Sequence, residues 1–345
     1  MDSPDRIKYI SRDTCGKFPK EVVYMYYLAE GRDDEEVTVF ANRNQSSFNG
    51  ITESDIVKRL NDKIKSISSV TGYVRIWKKI EGLRKDYPSL VKDFRLLPSY
   101  TCIPSNMCGV NDPKLDNILV WEMNAIHPEI TGYFFENMLA HTLKLTYKKD
   151  TSVILRRKDV NITIDQFEKM MKRIHAEKEH YIKDPDGNDR KCYTTGANVD
   201  EDEYDEIEAI LDASVLAYLE KNNMTEMIHV GIHDLYKYIY RYIDQLNNYL
   251  HDLGRSTIVR SMSREIGIEH SKPVGPSSEF PIHGEIDFCS NSYITDAKCC
   301  KTDDELGWFI QLYLYRALLD NHALRLRIIN FNTNKVYEFS ILNKL

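Results

Sequence analysis

Two short runs of alternating apolar and polar residues flank a compact polar turn. The first is Gly284-Glu285-Ile286-Asp287-Phe288. The second is Tyr293-Ile294-Thr295-Asp296-Ala297-Lys298. A period of two bounded by turn residues predicts a β-hairpin. Side chains repeat every second residue along a strand, so Asp296 and Lys298 share a face, as do Glu285 and Asp287. The period then lengthens. Apolar positions over 308–319 predict a helix, with Thr302 and Glu305 spaced as a capping box. Gln311 and Tyr315, four apart, fall on one face of it. Residues 324–329 read as a strand, and 337–339 as one more.

Upstream, helical spacing appears over 52–67, 73–83, 207–219 and 234–253, the last rich in tyrosine. A further helix is predicted around Gly132 and Glu136, with His127 in a capping or core role. Residues 98–115 hold Pro98, Pro104, Gly109 and Pro113, which suggests a loop or a boundary. Residues 151–157, 258–259 and 266–268 read as strand pieces, the last pairing with the strand at 282–288. The expected fold class is α/β: a mixed β-sheet flanked by helices. The expected division is an N-terminal, mainly helical region over 1–114 and a core over 115–345, with a helical insertion at about 146–255.

A chain of 345 residues with 42% hydrophobic content can bury a sizeable core. No basic stretch followed by an apolar run opens the sequence, and no apolar run is long enough to cross a bilayer. The expectation is a soluble, intracellular protein with no membrane partner. Seven cysteines, an odd number, do not form a secreted disulfide framework. The net charge of −7 weakens the case for tight non-specific binding of nucleic acid. Much of that charge, however, is one acidic block between Asp200 and Asp212. The best basic cluster is Lys148, Lys149, Arg156, Arg157 and Lys158, which could follow a phosphate backbone. His229 and His233 share a helical spacing but have no evident third ligand.

The hairpin has a chemical use. Carboxylates a few ångströms apart repel unless a cation sits between them. Hard oxygen donors with open positions suit Mg²⁺ or Mn²⁺. A nearby lysine can orient water or neutralise charge developing on a phosphate. The ordered set Gly284-x-x-Asp287, Asp296-x-Lys298 and Gln311-x-x-x-Tyr315 resembles the PD-(D/E)XK nuclease superfamily, in its RecB-like and lambda-exonuclease-like branch. Gly132-x-x-x-Glu136 resembles the motif on that branch's upstream helix. The resemblance covers about residues 125–145 and 280–340.

It implies a restriction-endonuclease-like core and Mg²⁺- or Mn²⁺-dependent hydrolysis of DNA. Glu136, Asp287, Asp296 and the backbone carbonyl of Ala297 would hold the metal, and Lys298 would be the catalytic lysine. Gln311 and Tyr315 would hold the nucleic acid or position the lysine and water, with Arg156, Arg157 and Lys158 as further contacts to DNA. An exonuclease in recombination, repair or replication is the implied use. Such exonucleases often act as ring-shaped homo-oligomers. A structure-specific or single-strand endonuclease, and a catalytically silent module binding nucleic acid or protein, are the alternatives. Some relatives hold an iron–sulfur cluster, but no cysteine follows Cys300, which argues against one here. The family's distribution points to a large DNA virus or phage, and so to a host's cytoplasm or nucleus.

Overall fold

A computed structural model describes residues 58, 61–62, 64–84, 97–145, 169, 201–222, 229–278 and 280–342. The expected strand at 151–157 and the basic residues Lys148, Lys149, Arg156, Arg157 and Lys158 lie outside them. Helix α1 spans Val70–Arg84, strand β1 Tyr100–Asn106, α2 Asn117–Ile126 and α3 Pro128–Thr142. Four helices follow: α4 (Glu201–Asn222), α5 (His229–Arg241), α6 (Ile243–Gly254) and α7 (Thr257–Met262). Then come β2 (Glu269–Val274), β3 (Gly284–Cys289), β4 (Tyr293–Lys298), α8 (Glu305–Leu318), β5 (Arg325–Asn330) and β6 (Lys335–Ile341).

The strands form one six-stranded sheet in the order β1-β6-β5-β4-β3-β2. Only β4 and β5 are parallel, and α8 is the crossover that parallel neighbours require. Helices cover both faces. On one face, Phe288, Ile329, Phe331 and Val336 pack against residues of α2 to α7, including Phe134, Phe135, Leu211 and Tyr236. On the other, Ile286, Ile294, Leu326, Ile328 and Phe339 pack against Trp77 of α1 and Phe309, Ile310 and Leu314 of α8. The protein is therefore a mixed α/β fold, a helix–sheet–helix sandwich. Among the described residues, no helix is long and apolar enough to cross a membrane.

Several sequence expectations change. Residues 100–106 are an edge strand rather than a loop, paired antiparallel with β6. Pro104 is tolerated because an edge strand needs only half its ladder hydrogen bonds. The sheet thus begins upstream of residue 115. Residues 258–259 belong to helix α7, whose start is fixed by Ser256 Oγ accepting from the Val259 N–H at 3.3 Å. The tyrosine-rich helix is two helices that meet at Tyr242. Helix α8 is capped by Asp304, whose Oδ1 accepts from the Gly307 N–H at 3.2 Å, not by Thr302.

Candidate functional site

β3 and β4 leave the hairpin turn paired, Cys289 with Ile294 and Phe288 with Thr295, and the ladder ends there. Next in register stand Asp287 and Asp296, two like charges that oppose close pairing. Instead of a ladder bond, the Ala297 N–H donates to Asp287 Oδ2 at 2.7 Å. The alternation of β3 also breaks at this point. Ile286 packs on the α8 side of the sheet, and Phe288, two residues on, packs on the α3 side. Ser271 of β2, across from Asp287, takes a left-handed φ of 53°. A non-glycine residue there costs about 1–2 kcal/mol. Strain of that kind collects at functional positions.

Asp296 is buried, at 2% exposure; its Oδ1 is hydrogen-bonded, while its Oδ2 faces an ammonium without a hydrogen bond. Lys298 Nζ lies 2.5 Å from Oδ2. Gln311 Nε2 donates to Oδ1 at 3.0 Å and lies 3.1 Å from the Tyr315 hydroxyl. Gln311 and Tyr315 are thus turned inward, toward Asp296. Burial would pull the Lys298 ammonium down, but Asp296 and Asp287 outweigh it and hold its pKa above the usual lysine range. Burial, reinforced by Asp296 and Glu136, pushes the Asp287 carboxyl well above the ordinary range, against the opposing effects of Lys298 and the Ala297 N–H. The Tyr315 phenol is pushed up by burial and by the same two aspartates.

Glu136 arrives from α3, on the opposite side of the sheet from α8. That helix starts at His127, whose Nδ1 accepts from the Ile130 N–H at 3.4 Å, with Pro128 in the first turn. Asn124 Nδ2 donates to the Cys299 carbonyl at 2.9 Å and ties the adjoining α2 to the end of β4. The Glu136 carboxylate then meets His270 Nε2 at 2.9 Å.

Asp296, Lys298, Gln311 and Tyr315 are therefore linked by direct contacts, Asp287 stands beside them through the Ala297 N–H, and Glu136 comes near enough to act on the Asp287 carboxyl. Two participants carried no sequence signal. His270 sits on β2, in a stretch with no motif. Lys221, at the end of α4, lies 5.6 Å over the Tyr133 ring, and its ammonium is raised by Tyr133, Glu129 and Asp287 against the effect of burial. Both are placed by tertiary contact alone. Among the described residues, no three His, Cys, Asp or Glu side chains form a ready-made metal cage. Charge favours a cation all the same: Asp296 and Glu136 both act on the Asp287 carboxyl, against Lys298.

The two motif glycines differ. A Cβ on Gly284 would lie 2.8 Å from Tyr315 Cε1 and 2.8 Å from Val70 Cγ2. The glycine of Gly-x-x-Asp is therefore the contact point for the tyrosine of Gln-x-x-x-Tyr. A Cβ on Gly132 would meet nothing within 4 Å. Gly284→Ala is expected to destabilise the protein by about 1–3 kcal/mol, the usual cost of overpacking. Gly132→Ala is expected to stabilise it by about 0.5–1 kcal/mol through helix propensity. Urea denaturation of both variants checks the contrast.

Compared with known proteins, the chain matches no family model, no curated protein and no solved structure.

Proposed function

We propose that this protein is a metal-dependent deoxyribonuclease with a restriction-endonuclease-like core, acting as an exonuclease in DNA recombination, repair or replication. One observation carries the reading. Glu136, Asp287, Asp296 and Lys298, from a helix and two strands, converge where β3 and β4 part. Burying mutually repelling carboxylates costs stability and adds nothing to the core. Such an arrangement is characteristic of sites that use the charge.

The residues fit a divalent cation in charge and donor type, with Asp287, Asp296 and Glu136 as its holders. A bound Mg²⁺ or Mn²⁺ would supply Lewis acidity toward a phosphoryl oxygen and a lowered pKa for water. The chain's own groups do the rest. Lys298, 2.5 Å from Asp296 Oδ2, serves as a hydrogen-bond donor and positive charge for the nucleophile or the phosphate. Gln311 fixes the rotamer of Asp296, and Tyr315 fixes Gln311.

A second reading is a catalytically silent nuclease-fold module that binds nucleic acid or another protein. It is favoured by the tight Lys298–Asp296 pair, which already compensates one of the carboxylates a metal would use. Incubation with end-labelled linear, circular, single- and double-stranded DNA, in Mg²⁺, Mn²⁺ or EDTA, separates the two. Shortening of linear DNA from an end, dependent on metal and lost in Lys298→Ala, is the expected result. The loss is expected to be at least about 100-fold, the scale for one transition-state donor. Nicking of circular DNA would identify an endonuclease instead. No cleavage of any substrate, or equal cleavage by Lys298→Ala, would remove the assignment.

A further inference from the structure

Strand β2 lies at the edge of the sheet, yet the side chain of its His270 is only 2% exposed. The ring is stacked on Phe288, centroids 5.0 Å apart and planes 29° from parallel. That stack fixes the ring plane and aims Nε2 at Glu136 Oε1, 2.9 Å away. The strained backbone at Ser271, one residue on, marks the same place. Glu136 is itself largely buried, its side chain 14% exposed. Water therefore cannot readily replace the ring as a partner, and a buried carboxylate without one is costly.

We infer that His270 is a positioning residue for Glu136. Its ring nitrogen commits Oε1, sets the carboxylate's rotamer and presents the other oxygen to the space beside Asp287. The inference rests on the reading of Glu136 as a cation holder in a nuclease site. It adds a residue that the Gly-x-x-x-Glu, Gly-x-x-Asp, Asp-x-Lys and Gln-x-x-x-Tyr pattern does not contain. A partner that fixes the geometry of a metal-binding side chain typically changes metal affinity by about 10–100-fold.

The test is Mn²⁺ titration of the full chain, with free Mn²⁺ read by electron paramagnetic resonance. His270→Phe keeps the stack on Phe288 and removes the nitrogen. Its expected effect is a loss of Mn²⁺ affinity of about 10–100-fold. His270→Gln places an amide nitrogen near Nε2 and is expected to restore most of that affinity, whereas His270→Asn is too short and is not. In a Glu136→Gln background, His270→Phe is expected to change nothing further. Circular dichroism and melting curves establish that each variant is folded. Should His270→Phe fail to fold, the contrast between Gln and Asn decides.

Unchanged affinity in His270→Phe, or in Asn if Phe is unfolded, overturns the inference and leaves the nuclease reading intact. So does an equal loss with and without Glu136, because His270 would then act through the fold. A wild-type protein that binds no Mn²⁺ overturns the metal-site reading and this inference with it.

Discussion

Asp287→Asn is expected to yield a protein that is more stable than the wild type and does not cleave DNA. Asp287 is a carboxyl buried against Asp296 and Glu136, with the Ala297 N–H donating to its Oδ2. Asparagine keeps the shape and an oxygen for that N–H, and its amide can donate to a neighbouring carboxylate. The charge that burial penalises is gone. A carboxyl whose pKa rises by one unit on folding costs the folded state about 1.4 kcal/mol once the pH exceeds the folded-state value. A gain of about 1–2 kcal/mol is expected here, because Lys298 loses part of its compensation.

The sign of the pH dependence follows from the raised pKa. A carboxyl that holds its proton more tightly folded than unfolded favours the folded state below the unfolded-state value. That contribution is lost as pH rises through the folded-state value. The advantage of Asp287→Asn over wild type is therefore expected to grow from pH 5 to pH 8. Melting curves in EDTA measure it. Adding Mn²⁺ is expected to raise the melting temperature of the wild type, since a ligand bound only by the folded state stabilises it, and to raise that of Asp287→Asn much less. A variant less stable than wild type at pH 8 would mean that Asp287 supports the fold, and the functional reading would lose its main physical support.

What the sequence revealed was local. Between Gly284 and Tyr315, the hairpin, its turn and the following helix lie within about thirty residues, and period-two and period-3.6 patterns report them directly. Asp287, Asp296, Lys298, Gln311 and Tyr315 stand out because short spacings fix which side chains share a face. Glu136 was legible only through a motif resemblance, as more than a hundred residues separate it from the hairpin. β1 was hidden because its partner among the described strands, β6, is far along the chain and Pro104 is a turn signal read in isolation. His270 had no pattern to mark it. Its role exists only once α3 is laid across the sheet. The N-cap of α8 is ambiguous in sequence for a subtler reason: Thr302 and Asp304 are both good N-caps, and propensity alone does not rank them. The Asp304 side chain is selected by its bond to Gly307, where a Cβ would lie 2.4 Å from Asp304 Oδ2.

Arg327→Ala is expected to produce the largest loss of stability of any substitution in the sheet. The Leu-Arg-Leu-Arg alternation of 324–327 marks a strand, but it does not reveal that Arg325 is exposed and Arg327 is 1% exposed. Arg327 Nη2 meets Glu265 at 2.7 Å, Nε donates to Thr295 Oγ1 at 2.9 Å, and the guanidinium lies 4.3 Å from the Tyr293 ring centroid. Glu265 in turn accepts from Ser290 Oγ at 2.7 Å. The network joins β5 to β4, to the hairpin turn and to the segment before β2. It therefore holds together the strands that carry Asp287, Asp296 and His270. Removing one partner of a buried pair leaves an uncompensated charge and costs about 3–5 kcal/mol. Glu265→Ala is expected to cost as much, because it strands the guanidinium. The double change Arg327→Met with Glu265→Met is expected to be milder than either single alanine change, since an apolar pair replaces both charges at similar volume. Urea denaturation of the three variants measures this, and adding the double change Arg327→Ala with Glu265→Ala closes the cycle that gives the coupling between the two residues. If Arg327→Ala unfolds at the wild-type midpoint, the pair is not the tie between these strands.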